Sequence, residues 1–145
     1  MKIQDLHFYH GSALTQIAEH ESFKALNKTD AKYGHYRVNT DRQLFVKYRT
    51  NRRSPWHFTF QLDETAAIRR AIETKERTFV CLVCGRNTIC CLRQEELEQL
   101  VDIRSRVQQW IRVEVPKGGS LHVTGKAGAL SRTIPHNSFP SKVFE

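Results

Sequence analysis

The sequence predicts an α/β protein of the α+β kind, in which helices pack on a mixed β-sheet. Three observations predict this class. Apolar and polar residues alternate with a period of two over 36–61, the pattern of half-buried strands. The run TFVCLVC at 78–84 is apolar almost throughout, as expected of a strand covered on both faces. Apolar residues recur at helical spacing in three further segments, 13–20, 63–76 and 94–103.

The size and charge of the chain limit what it can be. At 145 residues it can bury a core of its own, and we expect a single domain over 1–145. The formal net charge of +8 favours an anionic partner, which could be nucleic acid, acidic lipid or an acidic protein. No apolar run is long enough to cross a bilayer and no secretory leader is recognisable, so we expect a cytoplasmic protein without a membrane partner.

The first part of the chain is expected to form a helix and a β-hairpin. Ser12 is a suitable cap for a helix over 13–20. The polar segment 27–34 is interpreted as a loop. Apolar and polar residues alternate over 36–39 and again over 44–49, with turn-forming residues between the two runs. These two runs predict the hairpin.

A third strand is predicted directly after the hairpin. Trp56, Phe58 and Phe60 alternate with His57 and Thr59, after a polar loop whose proline ends regular pairing. We expect this strand to join the sheet of the hairpin. One face of that sheet should then be buried, and the other should present its polar and basic side chains to solvent.

The remaining elements alternate between helices and strands. In chain order they are a helix over 63–76 capped by Asp63, the buried strand 78–84, a short strand 89–92, a helix over 94–103, and a late hairpin that uses 111–115 and 121–123. The last twenty residues read as irregular. The core is therefore predicted to run helix, strand, strand, strand, helix, strand.

The solvent face of the predicted sheet carries many cations, and Asp41 is the one acid in that stretch. Ordinary protein surfaces mix both signs of charge, so this bias points to a polyanion. Cations that displace counterions from phosphates give nucleic-acid affinity that falls with salt. The residues predicted to bind nucleic acid are Arg37, Arg49, Arg52, Arg53 and His57. A solvated face without a partner is the alternative.

The order of predicted elements resembles the core of the PD-(D/E)XK nuclease superfamily, which runs helix, three strands, helix, strand. The match covers about 13–84, and with the next short strand the nuclease-like core spans about 13–92, extended by the last helix and hairpin. Members of this superfamily place an acid on one strand and an acid-x-lysine motif on the next. These groups hold a divalent ion and activate water. The resemblance implies magnesium-dependent hydrolysis of phosphodiesters.

The resemblance also implies roles for individual residues. Asp41 takes the position of the first acid, and Lys47 takes that of the lysine, which would stabilise charge on the phosphate. Phe45 stands where the superfamily has its second acid or a polar substitute, and there the chain departs from the pattern. A further catalytic carboxylate is expected from one of Glu19, Glu21 and Asp63. Asp41 and Asp63 are the expected magnesium ligands.

The four cysteines form a C-x-x-C-G motif and an adjacent pair, which invites comparison with a zinc site. However, Cys81 and Cys84 are three residues apart in an apolar strand, so their side chains should point to opposite faces. Adjacent Cys90 and Cys91 should diverge in the same way. The sequence therefore favours buried thiols in the core over bound zinc.

The triplet formed by His10, Gly11 and Ser12 is similar to the histidine-glycine strand end of ADP-ribosyltransferases, with Tyr36 as the later aromatic. A helix cap preceded by a flexible glycine is the preferred explanation of the triplet. The sequence thus predicts a nucleic-acid-binding protein of a mobile-element, phage or defence system, either a magnesium-dependent nuclease or a module that binds without cutting. A small protein–protein interaction domain and an ADP-ribosyltransferase-like enzyme stay open as alternatives.

Overall fold

The computed structural model describes residues 1–145, with the side chain of Ala31 excepted, and has an α+β fold. In the described chain three α-helices pack on two β-sheets. The helices are α1 (Asp5–Glu19), α2 (Leu62–Glu73) and α3 (Gln94–Leu100). The strands are β1 (Leu26–Asp30), β2 (His35–Val38), β3 (Arg42–Arg49), β4 (Trp56–Phe60), β5 (Arg77–Cys84), β6 (Thr88–Arg93), β7 (Gln109–Glu114) and β8 (His122–Gly125).

The main sheet has five strands in the order β1-β2-β3-β5-β6. β1, β2 and β3 form an antiparallel meander, β5 lies parallel to β3, and β6 turns back along β5. A parallel pair needs a crossover, which α2 supplies here. Strands β3 and β5 are covered on both faces. Every residue of β5 after Arg77 is buried. The prediction of a doubly covered strand at 78–84 is confirmed.

Helix α1 covers one face of the main sheet. Ala13 and Ile17 are fully buried against Leu44 and Val46 of β3. The prediction that this helix begins at residue 13 is wrong, because it begins at Asp5.

Packing before residue 13 explains the earlier start of α1. Tyr9 stacks on Tyr48 with 4.8 Å between ring centroids, and His10 is buried beside the sheet. Ser12 lies within the helix, where its hydroxyl donates to the carbonyl of Tyr9 at 2.9 Å, and it caps nothing. A glycine inside a helix costs about 1 kcal/mol, and burial of the neighbouring side chains offsets that cost at Gly11.

A second sheet, in the order β4-β7-β8, covers the other face together with α2 and α3. Its three strands are antiparallel, with Trp56 opposite Val113 and Phe58 opposite Ile111. The prediction that β4 joins the hairpin's sheet is therefore wrong. β3 has β2 on one side and β5 on the other, so it has no free edge for β4.

The third strand of the meander is β1, which begins just before the segment 27–34 that the sequence predicts to be a loop, so that prediction is wrong. All its side chains from Leu26 to Asp30 are exposed, so the sequence carries no alternation of buried and exposed positions there. Backbone pairing with β2 and the edge position hold it in place. The chain still runs in the predicted order of a helix (α1), a three-stranded meander (β1–β3), a helix (α2) and a parallel strand (β5). β4 is inserted between β3 and α2.

The helices of the described chain include none that is both long enough and apolar enough to pass through a lipid bilayer.

Candidate nucleic-acid interface

The sequence predicts Lys47 on a solvent face, but in the structure its side chain is half-buried and forms an ion pair. Its Nζ lies 2.6 Å from Oε2 of Glu64, in the first turn of α2, and 5.2 Å from the centre of the Phe60 ring. The other oxygen of Glu64 accepts the backbone N–H of Gln61 at 3.1 Å, which caps α2. The carboxylate of Glu64 therefore neutralises Lys47 and also caps the N-terminus of α2.

Arg37 also forms an ion pair with an acidic residue. Its guanidinium donates to both oxygens of Glu76, at 2.9 Å each, in a geometry that suits a planar cation and a carboxylate. Gln43 donates to the same carboxylate at 3.1 Å. Arg37 is thus engaged within the protein, as Lys47 is, and both acids come from α2 or the turn that follows it.

Three of the predicted cations are free of such pairing. Arg49, Arg52 and Arg53 are exposed, and none belongs to an ion pair formed by the described side chains. Arg86, in the turn between β5 and β6, is likewise exposed and outside those pairs. These four residues lie at one end of the main sheet and are called the arginine cluster below.

The two loops that carry the arginine cluster are hydrogen-bonded to each other. The N–H of Gly85 donates to the carbonyl of Arg49 at 2.9 Å. The indole N–H of buried Trp56 donates to the carbonyl of Asn51 at 2.8 Å, and the side-chain amide of Asn51 donates to the carbonyl of Arg53, also at 2.8 Å. The backbone that presents the arginines is therefore held by the core.

The carboxylates proposed as metal ligands do not converge. Asp41 lies in the turn after β2 and pairs with Arg42 at 2.5 Å. Asp63 lies at the start of α2, 3.7 Å from the Lys32 ammonium and 3.4 Å from the hydroxyl of Tyr33, both of which precede β2. The two acids therefore stand near opposite ends of β2. Within the described residues no three or more His, Cys, Asp or Glu side chains form a group that could hold a metal ion.

Position along β3 also separates Asp41 from Lys47. At about 3.3 Å per residue, the strand places their Cα atoms roughly 16–20 Å apart. Glu19 is the last residue of α1 and is exposed, and Glu21 follows it in an exposed turn. The structure thus brings Lys47 together with Glu64, which the sequence did not single out.

The Lys47–Glu64 pair lines a cleft of about 190 Å³ that His10 enters from α1. The cleft is tight at Gly34, which has a φ of +60°, because a Cβ there would lie 2.3 Å from the carbonyl oxygen of Val46. Nδ1 of His10 is 3.2 Å from the hydroxyl of Tyr36. Burial, and to a smaller degree the nearby His7, lowers the pKa of His10.

Because its pKa is lowered, His10 makes folding depend on pH. The unfolded chain takes up a proton near the ordinary value of 6.5, while folded His10 resists it. Stability is therefore full above that pH and is lost as the pH falls towards the folded pKa. We expect the thermal midpoint to drop between pH 7.5 and 5.5, and His10→Gln to make the drop smaller.

Thermal unfolding across that pH range measures the effect. His35, whose pKa burial also lowers, acts in the same direction and should retain part of the dependence. Replacing the exposed His122 by Gln is the matched control, since it removes an imidazole without disturbing a buried position. An unchanged drop in His10→Gln would contradict the assignment.

His10, Gly11 and Ser12, the triplet similar to ADP-ribosyltransferases, lie inside α1 and not at the end of a strand. The two tryptophans have different places. Trp56 is buried in the core, whereas Trp110 is partly exposed and stacks on His57 with 5.4 Å between ring centroids.

The four cysteines are divided between the two faces of the main sheet. Cys81 and Cys91 lie on the α1 side with their sulfurs 3.5 Å apart, and Cys84 and Cys90 lie on the side of the second sheet. The expected divergence of neighbouring thiols is confirmed. Burial raises the pKa of the Cys84 thiol to about 12, so that thiol stays protonated at neutral pH.

Several residues of the interface were missed in the sequence. Glu64 carries a signal, since its spacing from Gln61 is that of a capping box, although nothing in that spacing indicates Lys47 as a partner. Arg86 is the single cation of its turn, and the pairing of β3 with β5 and the contacts of Gly85 with Arg49 and Asn51 bring it to the other arginines. No protein-family model matches the chain, and searches of curated proteins and of solved structures also found no match.

Proposed function

We propose that this protein binds nucleic acid through the arginine cluster. One observation carries the proposal: four exposed arginines lie on segments that hydrogen-bond to each other at one end of the main sheet, and none has a carboxylate partner among the described side chains, while Arg37 and Lys47 both have one. Guanidinium groups bind phosphate oxygens through paired hydrogen bonds. The net charge of +8 supports attraction of a polyanion from a distance.

The element order supports a nuclease-like shell as the scaffold of this binding function. Helix, meander, helix and parallel strand follow the layout that the resemblance to the PD-(D/E)XK superfamily implies, with β1, β2 and β3 as its three strands. In this layout Lys47 takes the position of the superfamily's lysine. Phe45 takes the position of the acid that this chain lacks. Asp41 and Asp63 do not fit a shared magnesium ion, since each has a different cation beside it. Binding is therefore the primary proposal.

Fluorescence anisotropy of labelled DNA and RNA oligonucleotides tests the proposal. We expect binding at 50 mM salt that weakens as the salt concentration rises, because each phosphate contact releases a counterion. Absence of binding to any of these oligonucleotides at 50 mM salt would reject the proposal and favour an acidic protein as the partner of the arginine cluster.

Magnesium-dependent hydrolysis is the second candidate function, and one observation favours it. Lys47 lies in a cleft beside Glu64, and magnesium binds through one or two carboxylates together with substrate phosphates. We expect any cleavage of supercoiled plasmid with magnesium to be lost in Lys47→Met. Arg77→Met, which removes an exposed cation at the opposite end of the sheet, is the control. Cutting that survives in Lys47→Met would exclude this cleft as the active site.

A further inference from the structure

The outer face of the second sheet is open to solvent. Alternate residues of β4 and β7 point into the core, and those between them point outward. The outward set includes His57 and Thr59 on β4 and Trp110 and Arg112 on β7, paired in register as His57 with Arg112 and Thr59 with Trp110. His57 and Arg112 are exposed, and Thr59 and Trp110 are partly exposed, so a partner molecule can reach this face.

Trp110 is unusual on such a face. The core buries Trp56 completely, so the protein can accommodate an indole, yet Trp110 stays partly exposed. It stacks on His57 at an interplanar angle of 24°, so the two rings form an offset stack that a further planar ring can extend. Aromatic surfaces of this kind stack with nucleic-acid bases, and every base offers a face for the contact.

Cations surround this aromatic pair. The loop with Arg52 and Arg53 leads directly into β4 and so lies at the His57 end of the face. Arg112 is opposite His57 on the neighbouring strand. On the other side, the exposed Lys126 is joined to the strand through its N–H, which donates to the carbonyl of Trp110 at 3.1 Å.

Acids are few on the same face. Glu114 is the acidic residue of β7, and it lies 3.8 Å from Arg112, beyond His57 as seen from Trp110. An exposed pair at that distance is weak, so Arg112 keeps most of its capacity to bind a phosphate. Arg112, together with the exposed Arg52, Arg53 and Lys126 beside the face, can therefore bind the phosphates of a nucleic-acid backbone.

We infer that the outer face of the second sheet holds single-stranded nucleic acid, with a base stacked on Trp110 and His57. This inference rests on the proposed function and specifies its substrate class. A duplex hides its base faces in the helical stack, whereas a single strand can turn them towards a sheet. The arginine cluster then holds phosphates on one side of the stacked base, and Lys126 holds them on the other.

Binding of an oligothymidylate and of a duplex of equal length, measured by anisotropy, tests the inference. We expect tighter binding of the single strand and a loss of about 5- to 150-fold in Trp110→Ala, the range that removal of one stacking contact produces. Trp110→Tyr should retain most of the affinity, since it keeps an aromatic ring. Phe8→Ala, at an exposed aromatic on α1, is the matched control and should bind as the wild type does.

Tryptophan fluorescence is a second, independent measurement, and it needs no destabilising substitution. We expect the single strand to quench the emission of the wild type and to leave that of Trp110→Tyr unchanged, because Trp56 is buried. Absence of quenching, or equal single-strand affinity of Trp110→Ala and the wild type, would overturn the inference. If arginine-cluster variants still weaken binding in that case, the proposed function stands, whereas no nucleic-acid binding by the wild type would reject both.

Discussion

The triple variant Arg49→Ala/Arg52→Ala/Arg53→Ala is expected to lose most of the nucleic-acid affinity of the protein. These arginines are exposed and have no carboxylate partner in the described structure, so their removal leaves no buried charge behind. At 50 mM salt each phosphate contact contributes about tenfold to affinity through counterion release. We therefore expect a loss on the order of 100- to 1,000-fold.

Anisotropy titrations at several salt concentrations measure both the loss and its origin. The slope of log affinity against log salt should decrease by about 2–3, since each contact contributes about 0.7–0.9. Arg70→Ala/Arg77→Ala is the control, because both residues are exposed cations towards the opposite end of the main sheet. A triple variant that loses no more affinity per removed charge than this control would show that overall charge, and not the arginine cluster, attracts the nucleic acid.

Gly85→Ala is expected to destabilise the protein by about 2–4 kcal/mol. Gly85 has a φ of +55°, and a Cβ there would lie 2.5 Å from the carbonyl oxygen of Asn51. The left-handed conformation and the clash both oppose the substitution, and the clashing atom belongs to the backbone. Relief of the clash would move the loop that carries Arg52 and Arg53, so we also expect weaker nucleic-acid binding.

Gly118→Ala separates the two causes. Gly118 has a similar φ of +72°, but a Cβ there would meet no atom within 4 Å. Its substitution should cost only the conformational part, about 1–2 kcal/mol. Chemical denaturation of both variants measures the difference. Equal losses at the two glycines would show that the contact between the turn and the loop at Asn51 does not constrain the fold.

The pairing of Lys47 and Arg37 limits what the basic stretch can do. Both cations lie on strands of the main sheet, where α2 and the turn after it supply Glu64 and Glu76. The arginines of the cluster, at the end of the sheet, form no such ion pair with the described side chains. The cations of this basic stretch are therefore of two kinds. Some form ion pairs within the protein, and the unpaired ones can bind a ligand.

Local patterns determined much of the fold. Alternation over β3, β4 and β7 predicted strands, and the apolar run of β5 predicted a strand covered on both faces. The spacing of Cys81 and Cys84 predicted opposite faces, as found. Such inferences succeed because the direction of a side chain along a strand depends only on the backbone repeat.

Only the tertiary structure decided which strands pair and which charges meet. β1 has no alternation of buried and exposed residues from which it could be predicted. β4 does not pair with the hairpin of β2 and β3, because β5 pairs with the other edge of β3. Partners such as Lys47 and Glu64 are brought together by the crossover of α2, and Arg86 joins the other arginines through a contact at Gly85. Contacts between residues distant in sequence depend on how whole elements pack, and no local pattern carries that information.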